Sequence, residues 1–524
     1  MHDRKVSDNR GRSMGNRETE KALHYHEATK HSYWSIRTSV HYLDWDNQPL
    51  PFKIYRDLEP LALPSEFPET GVATLDAVVG APDVSGTRVP DLNVLAHILY
   101  YSAGITKTKR YPGGEIHFRA AACAGALYPI EVYVVCGDLP GLKAGVYHFS
   151  PRDFALRRLR AGDYRGVLAR ATAREPAICR APVILVQTAI SWRSSWKYRD
   201  RAYRYHFWDD GMILANALAA ATAHRMPAKV VMGFVDDEVN HLLGVDGERE
   251  MALTLFPLGR ASVAPPPPDE VPDLRLETVP LSRSEVDYPL IREMHAASTL
   301  SSVQEVEHWR EAPFETRDAP CGNNIFPLRP LAEDEWPRES LESVIRRRGS
   351  TRRFARKAIR WEELSTILDG ATRGFPADFL KASGDHLNDL YLNVHAVEGM
   401  PAGAYFYCWR ERALKLLREG DVRQSSQYLC LEQALGGDSS VTIFYLADLS
   451  SILGRYGNRG YRAAQLEAGI IGGKLYLGAY ALGRGATGLT FYDDDVTEFF
   501  SPHAEGKSAI FVTALGVPGK RPYL

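Results

Sequence analysis

The chain contains 524 residues, of which 45% are hydrophobic and 24% are charged, and its formal net charge is −2. This length is too great for one hydrophobic core and predicts two to four domains. The composition is that of an ordinary globular protein and excludes a largely disordered chain. The near-neutral charge argues against a nucleic-acid-binding protein, because such proteins usually carry a basic excess. We therefore expect a small-molecule partner and no nucleic acid.

Cysteine spacing and hydropathy exclude further classes of protein. The six cysteines are scattered without a C-x-x-C pair, so we expect neither a metal site nor a disulfide framework. The polar N-terminus lacks the apolar core of a signal peptide. No apolar run approaches the roughly 18 residues that a membrane span needs. These observations predict a soluble, cytoplasmic protein with no membrane partner.

The predicted elements alternate between helix and strand along the whole chain. A polar tail at 1–22 is expected to be disordered, and the aromatic-rich stretch 24–55 is expected to pack across the domain that follows. Helical spacing of apolar residues predicts four helices, at 92–104, 211–224, 361–374 and 468–483. Short β-branched and aromatic runs bounded by Gly or Pro predict strands at 129–137, 145–151, 182–190 and 251–259.

An internal duplication relates the two halves of the chain. Residues 144–165, "AGVYHFSPRDFALRRLRAGDYR", align without a gap with residues 402–423, "AGAYFYCWRERALKLLREGDVR". The same offset pairs Tyr198 with Tyr456, Arg201 with Arg459, Tyr203 with Tyr461, Arg204 with Arg462, Gly211 with Gly469 and, after a one-residue slip, Phe234 with Phe491. A period this long predicts two copies of a whole domain rather than a solenoid repeat.

The duplication predicts four segments. The tail covers residues 1–22, and the first copy with its N-terminal extension covers residues 23–260. A linker covers residues 261–334, where the proline-rich "ASVAPPPPDEVPDLRLETVP" favours extended backbone. The second copy covers residues 335–524.

Three motifs indicate a ligand site. "RRRGSTRRF" at 346–354 places five arginines around a Gly-Ser-Thr turn, and guanidinium groups beside a hydroxyl suit a phosphate monoester. "ACAGALYPIEVYVV" at 122–135 puts small residues before a strand, where a flat ligand can approach backbone N–H groups. The alternative for the arginine-rich motif is a solvated basic patch, and the alternative for the small-residue motif is tight packing. The third motif appears twice, as "KYRDRAYRY" at 197–205 and "RYGNRGYRA" at 455–463.

Together these motifs resemble the FMN-dependent nitroreductase-like superfamily and its SagB-type, azoline-oxidising dehydrogenase branch. "RRRGSTRRF" is similar to the superfamily's Arg-x-Ser-x-Arg/Lys signature. "ACAGALYP" resembles the branch's Ser-Ala-Gly-Ala-Leu-Tyr-Pro segment, and both copies of the third motif resemble its Lys-Tyr-Gly-x-Arg-x-Tyr-Arg element. The matches touch nearly all of the chain outside the tail and the linker.

The resemblance implies an α+β fold, with an antiparallel-rich sheet wrapped by helices. Family members form an intimate dimer that holds FMN at its interface, so the tandem copies would form an intramolecular pseudo-dimer. Further oligomerisation stays open. Each flavin site of the family takes its phosphate grip from one protomer and its small-residue loop from the other.

The two copies differ in which half of a flavin site they keep. The phosphate grip is clear in the second copy, where the resemblance implies Arg348, Ser350, Arg352 and Lys520 as cofactor ligands together with Gly488. The small-residue loop is clear in the first copy and consists of Cys123, Ala124, Gly125 and Ala126. We therefore expect one composite FMN site and one degenerate site. The degenerate site would need residues 32–39 with Arg260 as its grip and residues 375–385 as its loop. Cys123 replaces the family's serine, and it is either a packed residue or a redox thiol.

Lys197 and Tyr198 are the candidate catalytic residues that the resemblance implies. The nearby Arg193, Arg199 and Arg201 are expected to lower the pKa of Lys197 and to favour tyrosinate. The alternative is a surface lysine at a helix start.

The expected activity is an FMN-dependent oxidoreductase, with hydride transfer between flavin N5 and a small-molecule or modified-peptide substrate. Azoline-like dehydrogenation is favoured. The alternatives are a nitro or quinone reductase that uses NAD(P)H as hydride donor, and a flavin-binding scaffold subunit of a modification complex.

Overall fold

A computed structural model describes residues 15–80, 86–112, 114–268, 270–311, 316, 321–382 and 384–520. Residues 1–14 of the predicted tail lie outside these ranges. The remainder of that tail contains a 3₁₀ turn at Gly15–Arg17 and the first residues of helix α1.

The helices of the first half are α1 (Glu20–Ala28), α2 (Tyr33–Arg37), α3 (Thr74–Val79), α4 (Leu92–Ala103), α5 (Arg165–Ala171), α6 (Ser191–Tyr198), α7 (Ala202–Ala223) and α8 (Asp236–Leu243). The stretch predicted as a linker contains α9 (Pro289–Ala297) and α10 (Val303–Arg310). The later helices are α11 (Leu341–Arg347), α12 (Trp361–Thr372), α13 (Arg423–Leu429), α14 (Ala434–Asp438), α15 (Leu449–Tyr456), α16 (Arg459–Ala481) and α17 (Asp493–Phe500).

The strands up to residue 258 are β1 (Pro60–Ala62), β2 (Ile105–Tyr111), β3 (Gly114–Arg119), β4 (Ile130–Cys136), β5 (Gly145–Ser150), β6 (Ala155–Ala161), β7 (Val183–Ile190) and β8 (Glu250–Leu258). The later strands are β9 (Ile325–Pro327), β10 (Asp389–Val394), β11 (Gly403–Cys408), β12 (Ala413–Glu419), β13 (Val441–Ala447), β14 (Gly485–Gly488) and β15 (Ser508–Gly516). The four helices and four strands predicted from periodicity are confirmed.

Two antiparallel sheets with matching strand order confirm the α+β fold and the duplication. The first sheet runs β1-β6-β5-β4-β7-β8, and the second runs β14-β15-β13-β10-β11-β12-β9. The central strands β6-β5-β4-β7-β8 therefore correspond one by one to β12-β11-β10-β13-β15. Their side chains are mostly buried, because β-branched and aromatic residues on both faces pack against helices. The hairpin β2–β3 forms a separate two-stranded sheet.

Helices α7 and α16 cross at equivalent glycines and join the two copies. A Cβ added at Gly211 would lie 2.6 Å from the carbonyl oxygen of Leu466 and 2.7 Å from the Cα of Gly469. Glycine at both positions lets the two backbones approach closely. Both helices begin earlier than the periodicity predicts: α7 starts at Ala202 rather than at residue 211, and α16 starts at Arg459 rather than at residue 468.

Reciprocal ion pairs explain this early start. Asp493 of the second copy accepts hydrogen bonds from Arg201 at 2.9 Å and Arg204 at 2.7 Å, and all three side chains are buried. Asp236 of the first copy likewise accepts hydrogen bonds from Arg459 at 2.7 Å and from Arg462 at 3.0 Å. The repeated arginines are buried because each pair donates hydrogen bonds to an aspartate of the other copy and to backbone carbonyl oxygens.

Helices α1 and α9 complete these networks at equivalent places. Arg204 donates to the carbonyl oxygen of His26 at 2.7 Å, and Arg462 donates to that of His295 at 2.8 Å. His26 also lies 3.2 Å from the Tyr461 hydroxyl, and His295 lies 3.2 Å from the Tyr203 hydroxyl, so the extension before each copy contacts both copies.

The structure contains one disulfide, although cysteine spacing indicates no disulfide framework. Cys321 and Cys408 are joined by a disulfide, 87 residues apart in sequence. Sheet pairing brings them together, because β9 follows Cys321 and pairs with β12, which in turn pairs with β11, whose last residue is Cys408. Sequence spacing alone carries no signal of this pairing. No helix among the described residues is long and apolar enough to cross a membrane.

Candidate active site

The site predicted from two half-motifs comes together as a cavity between the copies. A first chamber of about 480 Å³ and a second of about 490 Å³ adjoin each other. The residues that line both chambers are Ala122, Cys123, Ala126, Ser350 and Arg352. The first copy therefore contributes the small-residue loop and the second copy contributes the arginine-rich loop, as the sequence predicts.

The small-residue loop is held open by unusual backbone geometry. Gly125 has φ +63° inside the 3₁₀ turn Ala124–Ala126, and a Cβ there would lie 2.7 Å from the Tyr198 hydroxyl oxygen. Ala126 and Tyr128 also adopt positive φ, at 54° and 50°. Only glycine at position 125 lets Tyr198 approach the loop, which creates a flat wall beside the hydroxyl.

Asp209 fixes this loop and was missed by sequence reasoning. Its carboxylate accepts the Ala124 N–H at 2.8 Å and the Cys123 thiol at 3.1 Å. Burial raises the pKa of Asp209 to about 7. Burial, followed by the nearby Asp209 charge, raises the pKa of the Cys123 thiol well above its ordinary value, so Cys123 is a protonated, packed residue. A signal existed in the duplication, since Glu467 stands at the equivalent position of α16 and accepts the Leu387 and Asn388 N–H groups.

The arginine-rich loop presents its groups to the cavity in different ways. Arg348 reaches across the interface and donates to the carbonyl oxygens of Ala120 at 2.9 Å and Arg119 at 3.1 Å. Ser350 lies 3.4 Å from the Tyr476 hydroxyl, and Arg352 is exposed at the junction of the two chambers. Lys520 does not line either chamber, although its neighbour Gly519 does.

Lys197 and Tyr198 both face the first chamber, at the C-terminal end of α6. The expected lowering of the Lys197 pKa is confirmed, but its cause is different. Burial is the larger cause, and Arg352 of the other copy is the second. Arg193 and Arg201 instead form ion pairs with Glu131 and Asp493, respectively.

The expectation that Tyr198 favours tyrosinate is wrong. Burial, followed by the neighbouring Tyr205, raises the pKa of Tyr198 well above its ordinary value. The two rings stack with centroids 4.2 Å apart. Tyr198 is therefore a neutral phenol that can donate its proton.

Aromatic side chains and Gly488 also line the first chamber. The lining includes Tyr205, Trp208, Met212, Tyr476 and Phe511. The Gly488 N–H donates to the Tyr476 hydroxyl at 2.6 Å, and a Cβ at Gly488 would lie 3.3 Å from Phe511. This part of the lining offers aromatic surface to a ligand, and it lies beside the polar side chains of Gln433, Thr487 and Thr490.

Of the grip expected for the degenerate site, residues 32–39 lie elsewhere, whereas Arg260 pairs with Arg88 through two backbone hydrogen bonds of 2.7 and 2.8 Å. Residues 32–39 include α2, whose Arg37 pairs with Glu432 on the second copy. The short helix and long helix that bracket the arginine-rich loop, α11 and α12, correspond by order to α3 and α4. The equivalent loop is therefore 80–91, of which 81–85 lie outside the described residues. Resemblance of "SYWSIRTS" to the signature was a local coincidence.

Side chains of the protein occupy the position equivalent to the first chamber. Tyr456, the counterpart of Tyr198, packs against Trp309 of α10 with ring centroids 5.1 Å apart. Asp378 accepts hydrogen bonds from the N–H groups of Met232 at 2.9 Å and Gly233 at 2.8 Å. In the repeat alignment Gly233 corresponds to Thr490, which lines the first chamber. A carboxylate and an indole thus fill the place of a ligand.

The composite cavity fits a flavin mononucleotide by its shape and chemistry. A loop that only glycine permits gives a flat wall, aromatic residues give an apolar wall, and cationic side chains line the adjoining chamber. A flat ring system with an attached phosphate matches all three features.

Comparison with known proteins identifies the fold. The profile of the Nitroreductase family matches residues 89–260 and 345–522. A crystal structure of a protein described as a nitroreductase from Anabaena variabilis has a TM-score of 0.75, 28% identity, and covers 95% of this chain and 99% of its own.

Two curated proteins match single domains. MJ1384 of Methanocaldococcus jannaschii, described as a nitroreductase, is 31% identical over 169 residues, which is 32% of this chain and 80% of its own length. The trifolitoxin-processing protein TfxB of Rhizobium leguminosarum bv. trifolii is 31% identical over 175 residues, which is 32% of this chain and 47% of its own. The chain therefore spans about half the length of TfxB. With two matched regions, two sheets of the same strand order and a shared interface, this chain belongs to the nitroreductase family and contains two tandem copies of its domain.

Proposed function

We propose that this protein is an FMN-dependent oxidoreductase of the SagB-type branch, with hydride transfer between flavin N5 and an azoline-like substrate. The observation that carries the proposal is the meeting of Lys197, Tyr198 and the small-residue loop of one copy with Arg348, Ser350 and Arg352 of the other. Flavin supplies the hydride chemistry when bound, and the protein supplies position, charge and a proton route.

The residues of the chain have separable roles in this proposal. Arg352 and Ser350 would hold the cofactor between the chambers, while Gly125 and Gly488 leave its ring system room on both sides. Substrate would enter the first chamber, where Lys197 removes a proton from the substrate ring. The lowered pKa of Lys197 increases the fraction of neutral amine near neutral pH, which is the form that can accept a proton.

The dehydrogenation of a ring within a larger molecule is favoured over simple reduction. TfxB, one of the curated relatives, is named for trifolitoxin processing. A modified peptide is therefore the substrate class that we propose, and a cytoplasmic location is part of the same proposal.

The test is the purified protein with an azoline-containing peptide. We expect a yellow protein whose flavin is bleached by the peptide in the absence of oxygen, and a product that has lost two hydrogen atoms by mass spectrometry. Bleaching by NAD(P)H but not by the peptide would favour the nitro or quinone reductase instead. Bound flavin that neither compound bleaches would favour a scaffold subunit. A colourless protein that takes up no flavin would overturn the proposal.

A further inference from the structure

The β2–β3 hairpin is an addition to the first copy. It lies between α4 and β4, and the corresponding connection between α12 and β10 is shorter and contains no strand among its described residues. The hairpin pairs with neither main sheet, and most of its residues are exposed. Packing of the core therefore does not account for it.

The hairpin forms one wall of the second chamber, whose lining is strongly cationic. The cations of this lining are Lys107, Lys109, Arg119, Arg347, Arg348, Arg352 and Arg353. Among the described residues of the lining there is no aspartate or glutamate. Such a one-sided charge distribution attracts anions into a recess.

Several of these cations already have partners inside the protein. Arg347 pairs with Glu339. Arg119 donates to the carbonyl oxygens of Pro51 and Ile130, and Arg348 donates to backbone carbonyls as described above. By contrast, Lys107, Lys109 and Arg353 form no ion pair with any residue that the structure describes. Their charges are available to a ligand.

Because side chains alternate between the two faces of a strand, the cationic residues of β2 lie on two different faces. Lys107 and Lys109 are two residues apart, so they project from the same face of β2 and both line the chamber. Arg110 lies on the other face, lines neither chamber and pairs with Glu115 at 2.7 Å. Exposed lysines also discourage edge-to-edge pairing of strands, but that role would not depend on a ligand.

We propose that the hairpin binds the phosphate end of the flavin cofactor through Lys107 and Lys109. The first copy then contributes charge to a phosphate site whose signature residues, Ser350 and Arg352, belong to the second copy. This inference rests on the proposed function. The ligand chemistry is a phosphate group, supplied by the monophosphate of FMN or the diphosphate of FAD.

The test is titration of the full-length, flavin-free protein with riboflavin, FMN and FAD, followed by flavin fluorescence. In K107A/K109A we expect the Kd for FMN to rise about tenfold or more, because each lost charge-assisted hydrogen bond weakens binding. The Kd for riboflavin, which has no phosphate, stays the same. The FMN affinity of the double variant also falls less steeply with added salt. R110A is the matched control and keeps the wild-type Kd.

The three flavins distinguish the source of the phosphate. A selective loss of FMN affinity assigns the lysines to the monophosphate, whereas a selective loss of FAD affinity assigns them to the diphosphate. Equal losses for riboflavin and the phosphorylated flavins, an unchanged Kd in K107A/K109A, or an equal effect of R110A would overturn the inference. If the wild-type protein binds no flavin, the proposed function falls together with the inference. If the wild-type protein binds flavin and K107A/K109A binds it equally well, the inference alone falls.

Discussion

The two candidate catalytic residues have their protonation states set by burial at the junction of the copies. Burial lowers the pKa of Lys197 and raises that of Tyr198, since in each case it disfavours the charged form. Arg352 approaches from the other copy and adds to the effect on Lys197. Burial thus favours the neutral form of both side chains, and both line the first chamber.

Replacement of Lys197 by alanine should separate chemistry from cofactor binding. We expect K197A to lower kcat by about 10²–10⁴-fold, the usual loss for a general base, while the Kd for FMN stays near wild type. K197R keeps the charge but removes the base, because guanidinium does not deprotonate, and should be equally impaired. Arg455 is the counterpart in the second copy, and R455A should retain full activity. Wild-type kcat in K197A would rule out Lys197 as the base.

Asp209 should make the stability of the protein depend on pH. Its pKa is raised from an ordinary value near 4 to about 7, so the folded state binds more protons than the unfolded state in that window. The free energy of unfolding should therefore decrease as pH rises from about 4 to 7, and D209N should show a flatter profile in urea denaturation.

The equivalent Glu467 provides the control for Asp209. Burial also raises its pKa to about 7, so E467Q should flatten the stability profile in the same direction. Only D209N should weaken FMN binding, because Asp209 alone holds the loop at Cys123 and Ala124. Equal flavin affinity in D209N and wild type would contradict this role as a positioning residue.

At the scale of elements, periodicity predicted strands and helices well but placed the start of α7 too late. The pattern of apolar residues identified 211–224, whereas the helix begins at Ala202. The missed turns contain Arg204, which a local pattern treats as exposed. Its partner Asp493 lies in the other copy, so the burial of this arginine depends on a contact that local sequence does not contain.

The crossing of α7 and α16 should tolerate no side chain at Gly211. The Cβ of G211A would meet the backbone of Leu466 and Gly469 at 2.6–2.7 Å, and neither helix can shift without disturbing both copies. We expect overpacking to lower the free energy of unfolding by about 1–3 kcal/mol in urea denaturation.

Gly454 is a matched control for this substitution. It lies in α15, is exposed, and has nothing within 4 Å of an added Cβ. G454A should raise stability by about 0.5–1 kcal/mol, because alanine favours helix over glycine. A G211A protein as stable as G454A would show that the crossing has room for a side chain.

At the scale of the whole molecule, the duplication made the composite site predictable, whereas its degenerate partner was only half predictable. Motifs placed Cys123–Ala126 opposite Arg348–Arg352 because the family arrangement pairs opposite copies, and the structure brings these loops together. Trp309 was not foreseen, whereas Asp378 lies in the loop 375–385 that the sequence analysis assigned to the degenerate site. Trp309 comes from the stretch predicted as a linker, and neither has a sequence pattern that marks it as a substitute for a ligand.

Protein side chains lie in the position equivalent to the first chamber, so we expect a single flavin per chain. Trp309 packs on Tyr456, and Asp378 already accepts the N–H groups of Met232 and Gly233, so among the residues that the structure describes these two side chains take space and donors that a flat cofactor would need. Flavin released by denaturation and measured against protein concentration should therefore approach one equivalent. R352A should abolish most of this flavin rather than half of it, because the single site lies between the copies. R260A changes the residue predicted as part of the phosphate grip of the degenerate site, and this variant should keep one equivalent of flavin. A value near two equivalents in the wild-type protein would contradict the asymmetry and would require Trp309 and Asp378 to move aside.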